Sequence, residues 1–233
     1  MQRWKFLSRL VKFRHLELDS AFQQVFWTVL DPKRLFRYHQ NQNEMQGQWS
    51  RDDPSFFLLL CTFLAVTSLL QSVWMGQRAW GYILALLWAV LADGLIAAVL
   101  VATVMWLVAS YALRKPGAKA GKVEWSYCFD VHLNSLFPLV LCVYGVQLVA
   151  WPLLARANIG SLIVANTLWS AGFLYYTYLT FLGYTALPSL DNTMGLLYVG
   201  LGVLFVYLFS LPLGYNYCLL FQSYHLWRTG GLH

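Results

Sequence analysis

Two groups of polar residues in an otherwise apolar chain could do chemistry. The first is Asp93, alone in the middle of a long apolar run. A charged acid at mid-bilayer costs roughly 2.5–3.5 kcal/mol even on insertion scales, so it faces the bundle interior and has a reason to be there. It could carry a proton, hold a ligand or act as a hydrogen-bonded structural carboxyl, and the structural role is the preferred reading. Ala85, Ala89, Asp93 and Ala97 recur every four residues and form one small-residue face, the kind that lets helices approach closely. Gln147, Asn166 and Thr167 are the expected partners of the carboxyl. No other span carries an acid and no inverted repeat is detectable, which argues against a secondary transporter.

The second group is the run Glu124-Trp-Ser-Tyr-Cys-Phe-Asp130-Val-His132-Leu-Asn134. Glu124, Asp130, His132 and Asn134 are oxygen and nitrogen donors of the type that ligate metals or shuttle protons. Asp130, His132 and Asn134 share a face only in an extended segment. One histidine without a second nitrogen or sulfur ligand is a poor metal site, so neither a metal nor any other cofactor is expected. The better reading is a hydrogen-bond network at the mouth of a bundle, joined by Arg51, Asp52 and Asp53, with Arg51 pairing Asp130 or Glu124. The cysteines, Cys61, Cys128, Cys142 and Cys218, are widely spaced and read as buried small hydrophobes. Nothing in the chain forms a nucleophile–base–acid constellation, and no enzymatic activity is expected.

The elements that must position these residues are membrane spans. Of 233 residues, 59% are hydrophobic and only 11% charged, against about 25% charged in soluble domains. The expected fold is all-α and polytopic. Five spans are read at about 54–75, 80–113, 136–154, 159–182 and 193–213, from apolar runs long enough to cross a bilayer. No secretory signal peptide opens the chain, so the first span is expected to act as its own anchor. With a cytosolic N-terminus, 9 Lys and Arg from residues 1–53 and 4 from the second loop lie inside, against Arg78, Arg156 and Arg228 outside. The positive-inside rule then puts the N-terminus in the cytosol and, after five spans, residues 215–233 on the far side as an interfacial tail.

Residues 1–53 read as a basic amphipathic region. Arg3, Lys5, Arg9, Lys12 and Arg14 share residues 1–16 with apolar side chains at helical spacing. A second helix is expected to start at Ser20, which forms a capping-box pattern with Gln23, and to present Phe22, Phe26 and Val29 as one apolar face. Asp31-Pro32 is read as a cap followed by proline at the first helical position, opening a third helix that carries Lys33, Arg34 and Arg37. These cations suit an anionic cytosolic leaflet or a cytosolic protein partner. They also suit RNA, although no RNA-binding module is recognisable.

Three blocks carry a family resemblance: Gln48-Trp-Ser-Arg-Asp-Asp-Pro-Ser-Phe56, the run Val123–Pro138, and the stretch from Asn166-Thr-Leu-Trp169 to TFLGYTALP ending at Pro188. Together they resemble the uncoordinated-50 family over residues 3–225, with Asp93 where the family's second span also has an acid. The resemblance implies a five-span Golgi membrane protein with a cytosolic N-terminus, acting in vesicle trafficking and receptor delivery. It implies recruitment of large Arf guanine-nucleotide exchange factors and, in animal members, receptor cargo. For one animal member it implies RNA binding at the inner nuclear membrane. It supplies no catalytic residues. The chain reaches the basic helix with a shorter leader than the family pattern.

The expected function is therefore a Golgi scaffold or adaptor. Its rivals are a lipid-handling or ion-coupled protein using Asp93 and the Asp130/His132 group, and an RNA-binding protein using the basic N-terminus.

Overall fold

In a computed structural model, the described residues are 18–46, 54–115 and 123–230. The cations of residues 1–16 and the trio Arg51, Asp52 and Asp53 lie outside them, and so does the expected Arg51 pairing. The described chain is helical, with no strand and a single β-bridge, Arg114 to Leu190.

Eight helices follow in order: α1 Leu18–Leu30, α2 Pro32–Gln46, α3 Ser55–Trp74, α4 Ala79–Tyr111, α5 Trp125–Leu154, α6 Ile159–Thr185, α7 Thr193–Leu213 and α8 Tyr217–Arg228. Helices α3, α4, α5 and α7 are each long and apolar enough to cross a membrane. Helix α6 has the length, 27 residues, but not the hydropathy. Its Asn166, Ser170, Thr177 and Thr180 are buried against neighbouring helices. A span whose polar side is turned inward does not need an apolar composition, so hydropathy finds four spans where five were expected.

Helix α5 begins at Trp125, eleven residues before the expected start of its span, so the polar run Glu124–Asn134 is almost entirely helical. Helix α1 begins at Leu18, and Ser20 lies inside it, accepting from the Gln24 amide at 3.2 Å rather than capping. Asp31 does cap α2: its Oδ1 accepts from the Arg34 amide at 3.1 Å, and Pro32 opens the helix.

Both α4 and α5 contain a π-helical stretch, Trp88–Ile96 and Leu141–Val146. A π turn inserts one residue into the helical repeat. The buried residues of α4 are accordingly Gly81, Ala85, Ala89, Gly94, Ala98, Ala102 and Ala109. The stripe expected to pass through Ala97 passes through Ala98 instead. Small side chains let α3 approach, and Ser68 of α3 donates to the Ala85 carbonyl at 3.0 Å.

Helices α1 and α2 are folded onto the bundle. Ala21 shares a core cluster with Phe56 and Leu60 of α3, while Trp27, Leu35 and Phe36 share one with Val131 of α5 and Leu179 of α6. The Tyr175 hydroxyl of α6 donates to the carbonyls of Thr28 and Val29 at 3.0 and 3.1 Å, occupying acceptors that a helix C-terminus leaves open. At the same end the two connections are tied together. The amide of Lys115 donates to the Ser189 carbonyl, and that of Asp191 to the Leu113 carbonyl.

Candidate functional site

The polar centre of the molecule is where side chains from the two π-helical stretches meet. Asp93 lies on one and Tyr144 on the other, and the Tyr144 hydroxyl donates to Asp93 Oδ2 at 2.5 Å. Arg228, the last residue of α8, donates to the same oxygen from Nη1 at 2.5 Å. Its side chain is fully buried, and that of Asp93 is 26% exposed. Arg228 Nη2 reaches Tyr144 Oη at 3.4 Å and His225 Nδ1 at 3.3 Å, and the guanidinium stands 5.0 Å from the Tyr224 ring centroid.

From there the network runs outward through His225 Nε2 to Ser72 Oγ at 3.2 Å, and Ser72 donates to the Ser68 carbonyl at 2.9 Å. The donors fix the tautomer. Arginine can only donate, so Nδ1 accepts, and Nε2 carries the proton that goes to Ser72. With one ring nitrogen accepting and the other donating, the imidazole is in its neutral form. This connected set of charge and hydrogen-bond partners satisfies a mid-span carboxylate with a fixed cation. Among the described residues no three His, Cys, Asp or Glu converge as metal ligands.

The partners expected for Asp93 are engaged elsewhere. Gln147 accepts from the Trp169 indole at 2.6 Å. Thr167 meets the Tyr207 hydroxyl at 3.1 Å. Asn166 joins three helices: its amide donates to Ser210 Oγ and the Tyr215 carbonyl, both at 2.8 Å, and its oxygen accepts from the Tyr217 amide at 3.0 Å. The tail expected at the interface is instead the helix that closes the network, so Arg228 is an internal counter-ion and not a surface charge.

Helix α8 is launched by Asn216. Its Oδ1 accepts from the amides of Cys218 and Leu219 at 2.9 and 3.3 Å, and its Nδ2 donates to the Leu154 carbonyl at 3.0 Å. Replacing this cap, Asn216→Ala, should cost about 1–2 kcal/mol and increase hydrogen exchange along α8. Unchanged exchange there would mean that packing and Arg228, not the Asn216 cap, hold the helix.

The second polar group does not converge on one point. Glu124 precedes the first residue of α5 and is half-buried, as is Asp130. His132 is buried, with Nδ1 2.8 Å from the Tyr176 hydroxyl. Asn134 is buried, and its Oδ1 has no hydrogen-bond partner among the described residues. All four cysteines are free.

Sequence reasoning missed Tyr144, Arg228, His225 and Ser72. A usable signal was present for Arg228: Asn216 followed by twelve residues with aromatics at 217, 221 and 224 has the cap and spacing of a helix with one packed face.

The UNC-50 family profile matches residues 6–226. The chain belongs to the UNC-50 family. It is 37% identical to the human "Protein unc-50 homolog" over 230 residues, covering 98% of this chain and 88% of that protein. It is 33% identical to "Protein unc-50" of Caenorhabditis elegans over 213 residues, covering 91% and 70%. No solved structure matches. The UNC-50 match takes in α8, including Tyr217 and His225, and stops two residues before Arg228.

Proposed function

We propose that this UNC-50 family protein is a non-catalytic scaffold of the Golgi membrane that helps recruit large Arf guanine-nucleotide exchange factors during vesicle trafficking and receptor delivery. The supporting observation is the sidedness of its charge. Lys33, Arg34 and Arg37 are exposed on α2, at the same end of the bundle as Arg114 and Lys115. The opposite end offers only Arg78 and Arg156 among the described residues. With the N-terminus cytosolic, the basic end faces an anionic leaflet and the partner approaches from that side.

The test replaces Arg3, Lys5, Arg9, Lys12 and Arg14 with Gln and follows a fluorescent exchange factor in cells. Recruitment should fall at least about tenfold, the loss of roughly 1.4 kcal/mol, with membrane insertion unchanged. Full recruitment by the neutralised chain would remove the cations of residues 1–16 from the assignment. RNA binding by the same cations is separated from lipid binding by competition between RNA and anionic vesicles.

A second reading has its own observation. The buried Asp93–Tyr144–Arg228–His225 set is the kind of intramembrane ionisable cluster that handles ions or lipid headgroups elsewhere. Here the carboxylate is already neutralised by an internal arginine, which favours the scaffold.

A further inference from the structure

The outward side of α1 carries an apolar stripe, with Asp19 and Gln23 the exposed polar residues beside it. Phe22, Phe26 and Leu30 are 57%, 60% and 65% exposed, and their spacing of four places them in one stripe. The hairpin cannot turn to bury them. Its other face is fixed by Ala21 against α3, by Trp27 in the core, and by the Tyr175 hydroxyl on the last carbonyls of α1.

Depth decides what the stripe meets. Helix α3 has 20 residues, about 30 Å of rise, which is the thickness of the hydrocarbon core. Ala21 packs with Phe56 and Leu60 in the first two turns of α3, so α1 lies where the hydrocarbon begins. At that level an apolar stripe borders acyl chains.

The charges at its C-terminal end are mostly cationic, while Asp19 is exposed one turn before Phe22 at the other end. Lys33, Arg34 and Arg37 are exposed in the first two turns of α2. The Arg34 guanidinium stands 5.0 Å from the Trp27 ring centroid, and Arg37 Nε donates to the Lys33 carbonyl at 3.3 Å. The adjacent acid, Asp31, is turned to the α2 N-terminus as its cap.

We propose that the α1–α2 hairpin is a monotopic anchor for anionic phospholipid, with Phe22, Phe26 and Leu30 in the acyl region and Lys33, Arg34 and Arg37 on the headgroup phosphates. An apolar stripe beside a cluster of cations is the pattern of interfacial helices that bind acidic leaflets. A cytosolic protein would need the stripe at the aqueous level, and RNA would leave it uncovered. The proposal deepens the anionic-leaflet part of the function above and does not depend on exchange-factor recruitment.

The test uses the full chain in nanodiscs of phosphatidylcholine containing phosphatidylserine, with photoreactive p-benzoylphenylalanine replacing Phe26 or, in a second protein, Leu30. Irradiation should give adducts of one phospholipid mass at both positions. Phosphatidylserine should be enriched about threefold or more in them over its bulk fraction. The triple substitution Lys33→Gln, Arg34→Gln, Arg37→Gln should return the adducts to the bulk ratio. Absence of lipid adducts at both positions would overturn the anchor. A bulk ratio in the unsubstituted hairpin would overturn the headgroup assignment. Lipid adducts support the anchor whether or not the exchange factor is recruited, so the two readings fail separately.

Discussion

Asp93→Asn alone, or Arg228→Gln alone, should destabilise the protein by about 3–5 kcal/mol, the usual cost of leaving one member of a buried ion pair uncompensated. Arg228 is fully buried and its Nε already lacks a hydrogen-bond partner, and its other contacts, Tyr144 Oη, His225 Nδ1 and the Tyr224 ring, carry no negative charge to replace the carboxylate. The double substitution leaves two neutral amides that can bond each other and Tyr144. It should cost clearly less than the sum of the singles, because residues sharing one network are not additive. Thermal unfolding of the reconstituted protein provides the cycle. Singles within about 1 kcal/mol of wild type, combining additively, would show that the pair is peripheral to stability. Tyr144→Phe removes one donor from the carboxylate and should fall between, at about 1–3 kcal/mol.

Gly183→Ala should be the most damaging single-methyl change in the bundle. A Cβ at this position would lie 2.6 and 2.9 Å from the two γ-carbons of Val131 and 3.1 Å from Phe36 Cε1. Real Cβ atoms do not approach so closely, and β-branched Val131 on a helix has one strongly preferred rotamer, so it cannot swing away. The Gly183 carbonyl also accepts from the Tyr127 hydroxyl at 2.6 Å, which resists a shift of α6 away from α5. Overpacking of this kind costs about 1–3 kcal/mol. Adding Val131→Ala should restore part of the loss by making room, and the test is whether the double variant melts above Gly183→Ala. If it melts lower, the contact with Val131 is not what excludes the methyl. Because Phe36 is on α2, the same variant should also loosen the α1–α2 hairpin.

The sequence was informative where the physics is one-dimensional. Apolar length located α3, α4, α5 and α7, and the four-residue spacing of alanines correctly marked α4 as the close-packing helix. Motifs at Val123–Pro138 and Asn166–Pro188 carried the family. What could not be read was three-dimensional. A π turn is invisible to periodicity, so Ala97 was expected where Ala98 is buried. Asp93 found its cation in a segment too short and too polar to resemble a span, 135 residues further along the chain. The run read at 159–182 is helical in α6, but that its Asn166, Ser170, Thr177 and Thr180 turn inward is a matter of packing, which no hydropathy scale sees. His132 and Asn134 were adjacent in the sequence but serve different neighbours once on a helix, because side chains two apart diverge.

That separation has a bearing on biogenesis. Asp93 reaches the lipid phase 51 residues ahead of Tyr144 and 135 ahead of Arg228. At about 5–20 residues per second of synthesis, its counter-ion is made roughly 7–27 s later. Through that interval the acid must be sheltered by something other than its final partner, such as the insertion machinery, water drawn into the bundle or a bound proton. Helix α8, made after α3 to α7, is thus the one that lets the second span dispense with that shelter.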